Sequence, residues 1–511
     1  MSGGVMITAT GSNHGKTIIT FGLIAAMKRK GFKIRSFKTG PDYIDPLYHE
    51  KISKVECINL DPFFVGEYID ENSCTIKEIF KRYTQNFDCA VTEGAMGYFS
   101  GIYLQEPRAS AYSVACIIKP YVIIVIDKNE LYEKGADIIN EYIEKYIKRG
   151  ESSYIKGFIL NKIQHDEYNK FKYKIKKASG LKPLGYIPYI SDFEIPSRHL
   201  GLYMPDDTEV SESIYKIVCR LADIMEKSIN LEYIIKAAIL NKSLNNVNLN
   251  NIESLNNVAL DNIKPLSTAV LNHIKEPETA ESSKNINLLK REDLKVRLAF
   301  AYDKAFLFIY KENIRILEEN GFDIVYFSPL SDDGLPENID CIWIPGGYPE
   351  RYAKELSENK KMINSIKKAY ADGINIVAEC GGFMYLHEKL EDENGSFYPC
   401  IGIIKGNAVN KRKLVRFGYI EVCADKDTLL LKKTEKCRSH EFHYWDSNNT
   451  NYSCRAVKAN KSKAWDCIYS DKNIFAGFPH IYLGSNEKMA ENLYAACINQ
   501  EIRTALLREK K

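Results

Sequence analysis

Short apolar runs broken by glycine set the rhythm of the first 190 or so residues. Val5-Met6-Ile7-Thr8-Ala9 has the length and composition of a buried strand. It runs into Thr10-Gly11-Ser12-Asn13-His14-Gly15-Lys16-Thr17, and an apolar-periodic stretch from Ile18 to Met27 then predicts a helix. Phe32–Phe37, Asp88–Glu93, Val122–Asp127 and Lys156–Asn161 read as further strands in alternation with helices. That alternation predicts an α/β fold built on a parallel, doubly wound sheet. The rhythm returns at Val296-Arg297-Leu298-Ala299-Phe300, followed by a helix near Asn313–Asn320 and strands at Phe322–Phe327, Ile339–Ile344 and Ile374–Val377. Two such domains are expected, residues 1–225 and 294–511, joined by a linker over 226–293. Within the linker, Ser243-Leu244-Asn245-Asn246-Val247 recurs as Ser254-Leu255-Asn256-Asn257-Val258. An Asn- and Ser-rich echo this short reads as a low-complexity tether, with a pair of short surface helices as the alternative.

Composition narrows the function classes. The chain has 511 residues, enough for two or three domains with sizeable cores. Its formal charge of +3 is close to balance, so nucleic acid is not an expected partner. No basic segment precedes an apolar core at the N-terminus, and the run Tyr121–Ile126 is far too short to span a bilayer. Neither secretion nor a membrane is therefore expected. Thirteen cysteines without CxxC spacing read as free thiols in a reducing cytoplasm, with no disulfide frame and no zinc knuckle.

Strand, glycine loop, Gly-Lys-Thr and helix together form the phosphate-cradling arrangement. Gly11 and Gly15 let backbone N–H groups face the phosphates, Lys16 neutralises their charge, and the Thr17 hydroxyl can hold Mg²⁺. Thr10 stands where a first glycine is usual, and His14 reads as a solvated loop residue. After the second strand, Asp42 and Asp45 in Gly40-Pro41-Asp42-Tyr43-Ile44-Asp45-Pro46 suit a metal or a substrate; a Pro/Asp-rich turn is the plainer reading. Glu93 ends another strand, where a nucleotide fold often puts a carboxylate for the metal.

The second half carries different chemistry. Ala378-Glu379-Cys380-Gly381-Gly382 reads as a strand turning sharply into a helix, with one thiol at the turn. A helix N-terminus under Cys380 would favour the thiolate. Gly346 and Gly347, in Ile344-Pro345-Gly346-Gly347-Tyr348-Pro349, offer a backbone turn able to aim N–H groups at an oxyanion, and His480 is a candidate base for the thiol. His440 and His443 resemble metal ligands but lack a third partner nearby, which favours a substrate-side or packing role.

These stretches resemble the cobyrinic acid a,c-diamide synthase family. Lys38-Thr39-Gly40-Pro41-Asp42-Tyr43-Ile44-Asp45-Pro46, Asn59-Leu60-Asp61-Pro62 and Glu93-Gly94-Ala95-Met96-Gly97 are similar to its first half, as are Ile187-Pro188 and Pro196–Leu202. Ser328-Pro329-Leu330, Gly346–Glu350, Glu379–Gly382, Phe417-Gly418-Tyr419 and His440–Tyr444 follow in the family's order. The resemblance implies a P-loop synthetase similar to dethiobiotin synthetase, fused to a glutamine amidotransferase with a Cys nucleophile. It implies ATP, Mg²⁺ and glutamine as cofactor and cosubstrates. Two side-chain carboxylates of a corrin ring would be activated as acyl phosphates and amidated by ammonia from glutamine. Cys380 and His480 would serve glutamine hydrolysis, Gly346 and Gly347 the oxyanion hole, and Thr17, Asp45 and Glu93 the metal, with Asp42 and Asp45 beside the substrate. A homodimer is left open.

Two departures bear on that carry-over. Ser100 takes the place of a usual Asp, for which Glu106 is a candidate substitute, and Tyr482 stands two residues after His480, where related glutaminases place Glu. The motifs do not separate a corrin from nickel-sirohydrochlorin, and a P-loop ATPase carrying a degenerate amidotransferase as scaffold remains an alternative. Cobyric acid synthase and a partitioning ATPase fit less well. The latter usually carries a signature lysine where Gly11 stands, and has no fused thiol domain.

Overall fold

The computed structural model describes residues 3–65, 75–102, 107–148, 152–190, 208–239, 295–449 and 451–508. The Asn-rich echo, the Pro196–Leu202 segment and Glu106 lie outside them.

The first body is a seven-stranded sheet. Its strands are β1 (Val5–Ala9), β2 (Ile34–Thr39), β3 (Cys57–Leu60), β4 (Cys89–Glu93), β5 (Tyr121–Asp127), β6 (Ile155–Asn161) and β7 (Lys182–Ile187). All pair in parallel, in the order β3-β2-β4-β1-β5-β6-β7. Parallel pairing buries both faces, which is why β1, β4 and β5 read as near-continuous apolar runs. Helix α1 (Lys16–Arg29) covers one face with Ile19, Leu23, Ile24 and Met27, beside the helix Thr208–Ser228. A Cβ on Gly22 would stand 2.8 Å from Met225 Cε, so glycine permits that close helix crossing. The packed body runs beyond the expected end at residue 225. Helix Leu231–Ala238, capped by Asn230, buries Leu231, Ile234, Ile235 and Ala238, and Ile239 bridges back to Cys89.

In the second body, β8 (Val296–Ala301), β10 (Phe322–Phe327), β11 (Cys341–Ile344) and β13 (Asn375–Glu379) join strand Ile474–Gly477 in a parallel sheet. The order is β10-β8-β11-β13, then Ile474–Gly477, with an antiparallel edge at Tyr469–Asp471. Two short strands, β9 (Phe306–Phe308) and β12 (Gly346–Gly347), pair antiparallel beside it. A five-stranded antiparallel sheet holding Arg416–Ala424, Lys436–His443 and His480–Ile481 packs over the domain. That layer is additional to the expected doubly wound sheet, and it supplies His480.

Leu307, Phe308, Tyr310 and Tyr482 of the second body pack into the core cluster of the first. The twelve described cysteines are all free. Among the described residues, no helix is long and apolar enough to cross a membrane.

Candidate active site

The nucleotide end forms where β1 meets α1. Gly15 has φ +86°, and a Cβ on it would stand 2.2 Å from Asn161 Nδ2, so both backbone and space require glycine. Asn161, at the end of β6, pins the loop by donating to His14 O at 2.9 Å. Lys16 Nζ donates to Gly11 O at 2.7 Å. Thr10 turns its hydroxyl toward His14 (3.0 Å to Nδ1) and Glu130. A side chain at that position is thus accommodated by local partners. Ser100 lies beside the same loop: a Cβ on Gly97 would be 2.7 Å from its Oγ and 2.8 Å from Thr10 O.

Directly behind Thr17 lies a buried charge cluster. Thr17 Oγ1 donates to Glu93 Oε1 at 2.6 Å. The β2–β4 register sets Lys38 opposite Glu93, and Lys38 Nζ donates to Glu93 at 2.8 Å and also to Asp45. His49 Nε2 is 2.6 Å from the other Glu93 oxygen, and its Nδ1 is 2.9 Å from Ser36 Oγ. Burial alone would raise the Glu93 carboxyl and Asp45 adds to that, but Lys38 and His49 outweigh them and hold it below the usual carboxylate range. Lys38 and His49 had no part in the sequence-based site. Two signals pointed to them: Lys38 is a cation at the end of an otherwise buried strand, and His49 follows Asp45 by four residues on α2 (Ile44–Ser53).

Of the expected metal set, Thr17 and Glu93 are brought together and present hydroxyl and carboxylate oxygens, a donor set that suits Mg²⁺. Asp45 is not aimed at that pair: its carboxylate is held by Lys38, which stands between it and Glu93. Among the described residues, no cluster of three or more His, Cys, Asp or Glu forms a metal cage. The plainer reading of Asp42 holds for one of its oxygens. Its Oδ1 accepts from Ile44 N (2.9 Å) and Asp45 N (3.0 Å), starting α2.

The thiol end forms where β13 breaks. Cys380 has φ +45° and ψ −103°, so the chain reverses sharply into helix Gly381–Tyr385. Such a conformation costs energy in any non-glycine residue and gathers at functional sites. The backbone is fixed from both sides, Cys380 N donating to Gly477 O (2.7 Å) and Met384 N to Cys380 O (3.0 Å). The expected thiolate is overturned: burial pushes the thiol well up and Glu350 pushes it further. The hydrogen bond from Gly381 offsets only part of this, the helix behind it being one short turn.

Gly346 and Gly347 lie against the same elbow. A Cβ on Gly381 would stand 3.0 Å from Gly347 N, and one on Gly346 would stand 2.3 Å from His480 Cε1. Gly347 N therefore lies against the residue after Cys380, and the His480 imidazole against the neighbouring Gly346. His480 is buried, and burial, with His440 and His443 adding to it, lowers its pKa to about 3, so the ring is neutral. Tyr482 does not orient it, because that ring stacks on Phe64 of the first body (centroids 4.8 Å apart). Instead, Tyr43 of the first body stacks on His480 (4.6 Å), with its hydroxyl 3.3 Å from Nε2.

The strand Lys436–His443 sets His440 opposite His480. His440 Nδ1 and His480 Nδ1 are buried with no hydrogen-bond partner among the described residues, while Glu441 Oε2 and His443 Nε2 face each other at 3.7 Å. Buried nitrogens usually have a partner, so His440 Nδ1 and His480 Nδ1, on paired strands, are exceptions at this site.

Residues 5–203 match the family model described as CobQ/CobB/MinD/ParA nucleotide binding domain, and residues 297–488 that of the CobB/CobQ-like glutamine amidotransferase domain. A cobyrinate a,c-diamide synthase of Caldanaerobacter subterraneus is 33% identical over 96% of this chain and 98% of its own length. Proteins of the same description from Fusobacterium nucleatum (34%; 96% and 99% covered) and Picrophilus torridus (32%; 97% and 99%) align as fully. The chain belongs to the cobyrinate a,c-diamide synthase family. It is thereby a member of a family of glutamine-dependent amide ligases, with a nucleotide-binding half and a glutamine amidotransferase half. The near-complete alignment includes both halves, so they are parts of one enzyme.

Proposed function

We propose that this chain amidates two side-chain carboxylates of cobyrinic acid, using ATP and glutamine. The observation that carries the reading is that relatives of that description align over both halves, while side chains of the two halves share one packed core and Tyr43 of the first meets His480 of the second.

In the first half, a carboxylate oxygen of the ring attacks the γ-phosphorus of ATP and ADP departs, leaving an acyl phosphate. Gly11, Gly15 and Lys16 hold the phosphates, and Asp42 and Asp45 line the adjoining approach. Mg²⁺ held by Thr17 and Glu93 would neutralise phosphate charge; Asp45 would join only by releasing Lys38. In the second half, Cys380 Sγ attacks the side-chain amide carbon of glutamine and its proton passes to His480. Gly346 and Gly347 steady the oxyanion, and the proton leaves on ammonia, giving a thioester that water hydrolyses to glutamate. Ammonia then attacks the acyl carbon and phosphate leaves. The buried Glu441–His443 pair suits the polar head of glutamine. Ammonia reaching bulk water would be protonated, so the shared interface is its path.

The test is mass spectrometry of cobyrinic acid incubated with the protein, Mg-ATP and glutamine. Two amide gains are expected, lost in Lys16→Ala and supported only by free ammonia in Cys380→Ala. No gain with glutamine or ammonia, while nickel-sirohydrochlorin does gain amides, would overturn the choice of ring. Unchanged glutamine hydrolysis in Cys380→Ala would overturn the thiol assignment.

A further inference from the structure

We propose that Tyr43, supplied by the nucleotide-binding half, is the positioning residue for His480 in the glutamine-hydrolysing half. The inference rests on the glutaminase reading above and adds to it the group that orients the base.

A histidine serving as base must have its ring plane and its tautomer fixed, a task often given to a carboxylate on the far nitrogen. Here that nitrogen, Nδ1, has no hydrogen-bond partner among the described residues. The residue two positions on is Tyr482, committed to Phe64. Tyr43 supplies the first of these constraints and a polar contact at the other nitrogen. Its ring lies over the imidazole with centroids 4.6 Å apart and planes at 27°, which sets the ring plane. Its hydroxyl stands 3.3 Å from Nε2, a polar contact that limits how the ring turns.

Tyr43 is itself held firmly. Phe308 stacks on its other side at 4.5 Å, and Tyr310 meets its edge at 6.1 Å. Below it the Asp42 carboxylate ties down the first two N–H groups of α2. The ring is buried. Two residues further on, Asp45 joins the Lys38–Glu93–Thr17 cluster behind the phosphate loop. One short stretch of backbone therefore carries a partner of the base at one site and a charge partner at the other. A glutaminase half detached from the first body would lack its positioning group.

The test compares glutamine- and ammonia-supported amidation in the full chain, with Tyr43→Phe and Tyr43→Ala. Tyr43→Ala should lower kcat for glutamine hydrolysis by about 10- to 100-fold, as expected when a catalytic group is misplaced, with KM for glutamine within about 3-fold. The ratio of glutamine- to ammonia-supported rates should fall in parallel. Tyr43→Phe keeps the stack and loses the hydroxyl, so it should lie between wild type and Tyr43→Ala. A merely structural role would lower both rates together and leave the ratio unchanged, and that result overturns the proposal. Wild-type protein lacking glutaminase activity altogether would instead sink the reading on which it rests.

Discussion

Lys38 carries one positive charge between two buried carboxylates, Asp45 and Glu93, and it is the cation that makes their burial tolerable. Removing one partner of such a group leaves uncompensated buried charge, which costs about 3–5 kcal/mol. Lys38→Met should therefore lose about that much stability by urea denaturation, together with nucleotide-dependent activity. Glu93→Gln in the same background should recover part of the stability, because it removes one of the stranded charges. Failure of the second change to recover any stability would show that Lys38 contributes through packing and not charge. The pH sense follows from Glu93. Its folded pKa is depressed below the ordinary 4.5, so its contribution is fully present above that value. It is lost as pH falls through the lower folded value.

At the scale of elements, the short strand β12 shows how tightly backbone and imidazole are fitted. Gly346→Ala would bring Cβ to within 2.3 Å of His480 Cε1, so the ring must move. A displacement of that order should cut glutamine hydrolysis by about 100-fold. Ammonia-supported amidation should survive, because β12 belongs to the second body; equal loss of both would mean that the substitution disturbs the interface as a whole. The glycine pattern around this strand was readable beforehand, as was the phosphate loop, because in both cases the residues that act together are neighbours in the chain. Lys38, His49 and Tyr43 were harder to read. The pattern marks Lys38 as a buried-strand cation and His49 as four residues after Asp45, but their partners come from strand register and packing, and that of Tyr43 from a contact between bodies. The thiol was misjudged for a related reason: the turn was visible, but the burial that raises its pKa is tertiary. Helix Leu231–Ala238 did announce itself, with Asn230 as cap and apolar residues at 231, 234, 235 and 238. The Asn-rich composition that follows masked it.

At the scale of the whole molecule, the two bodies meet through aromatic stacking and a few buried polar contacts. Tyr310 donates to Pro41 O (3.1 Å), Arg438 to Phe63 O (2.7 Å), and Arg82 and Tyr83 to Glu312 (3.0 and 2.9 Å). Asp61 is the titratable centre of this seam: one oxygen accepts from Tyr419 (2.8 Å) and the other from Phe63 N (2.8 Å). Burial outweighs those hydrogen bonds and raises its pKa from 3.8 to about 7. Between those two values the folded protein holds a proton that the unfolded chain has released. The associated stability is thus fully present below about pH 3.8 and is lost as pH rises through about 7. At 1.36 kcal/mol per pKa unit, the total is at most on the order of 4 kcal/mol. Glu350 and Glu379, both raised to about 8 by burial, act in the same sense from inside the second body. The seam's own share is isolated by Asp61→Asn, which keeps the size of the side chain and an oxygen for Tyr419 but cannot ionise. Relative to wild type, Asp61→Asn should gain stability between pH 5 and pH 8, measured by urea unfolding, and should keep more of its glutamine-supported activity at pH 8. A constant difference across that range would mean that Asp61 does not change protonation there, and that docking of the two halves owes its pH dependence to other groups.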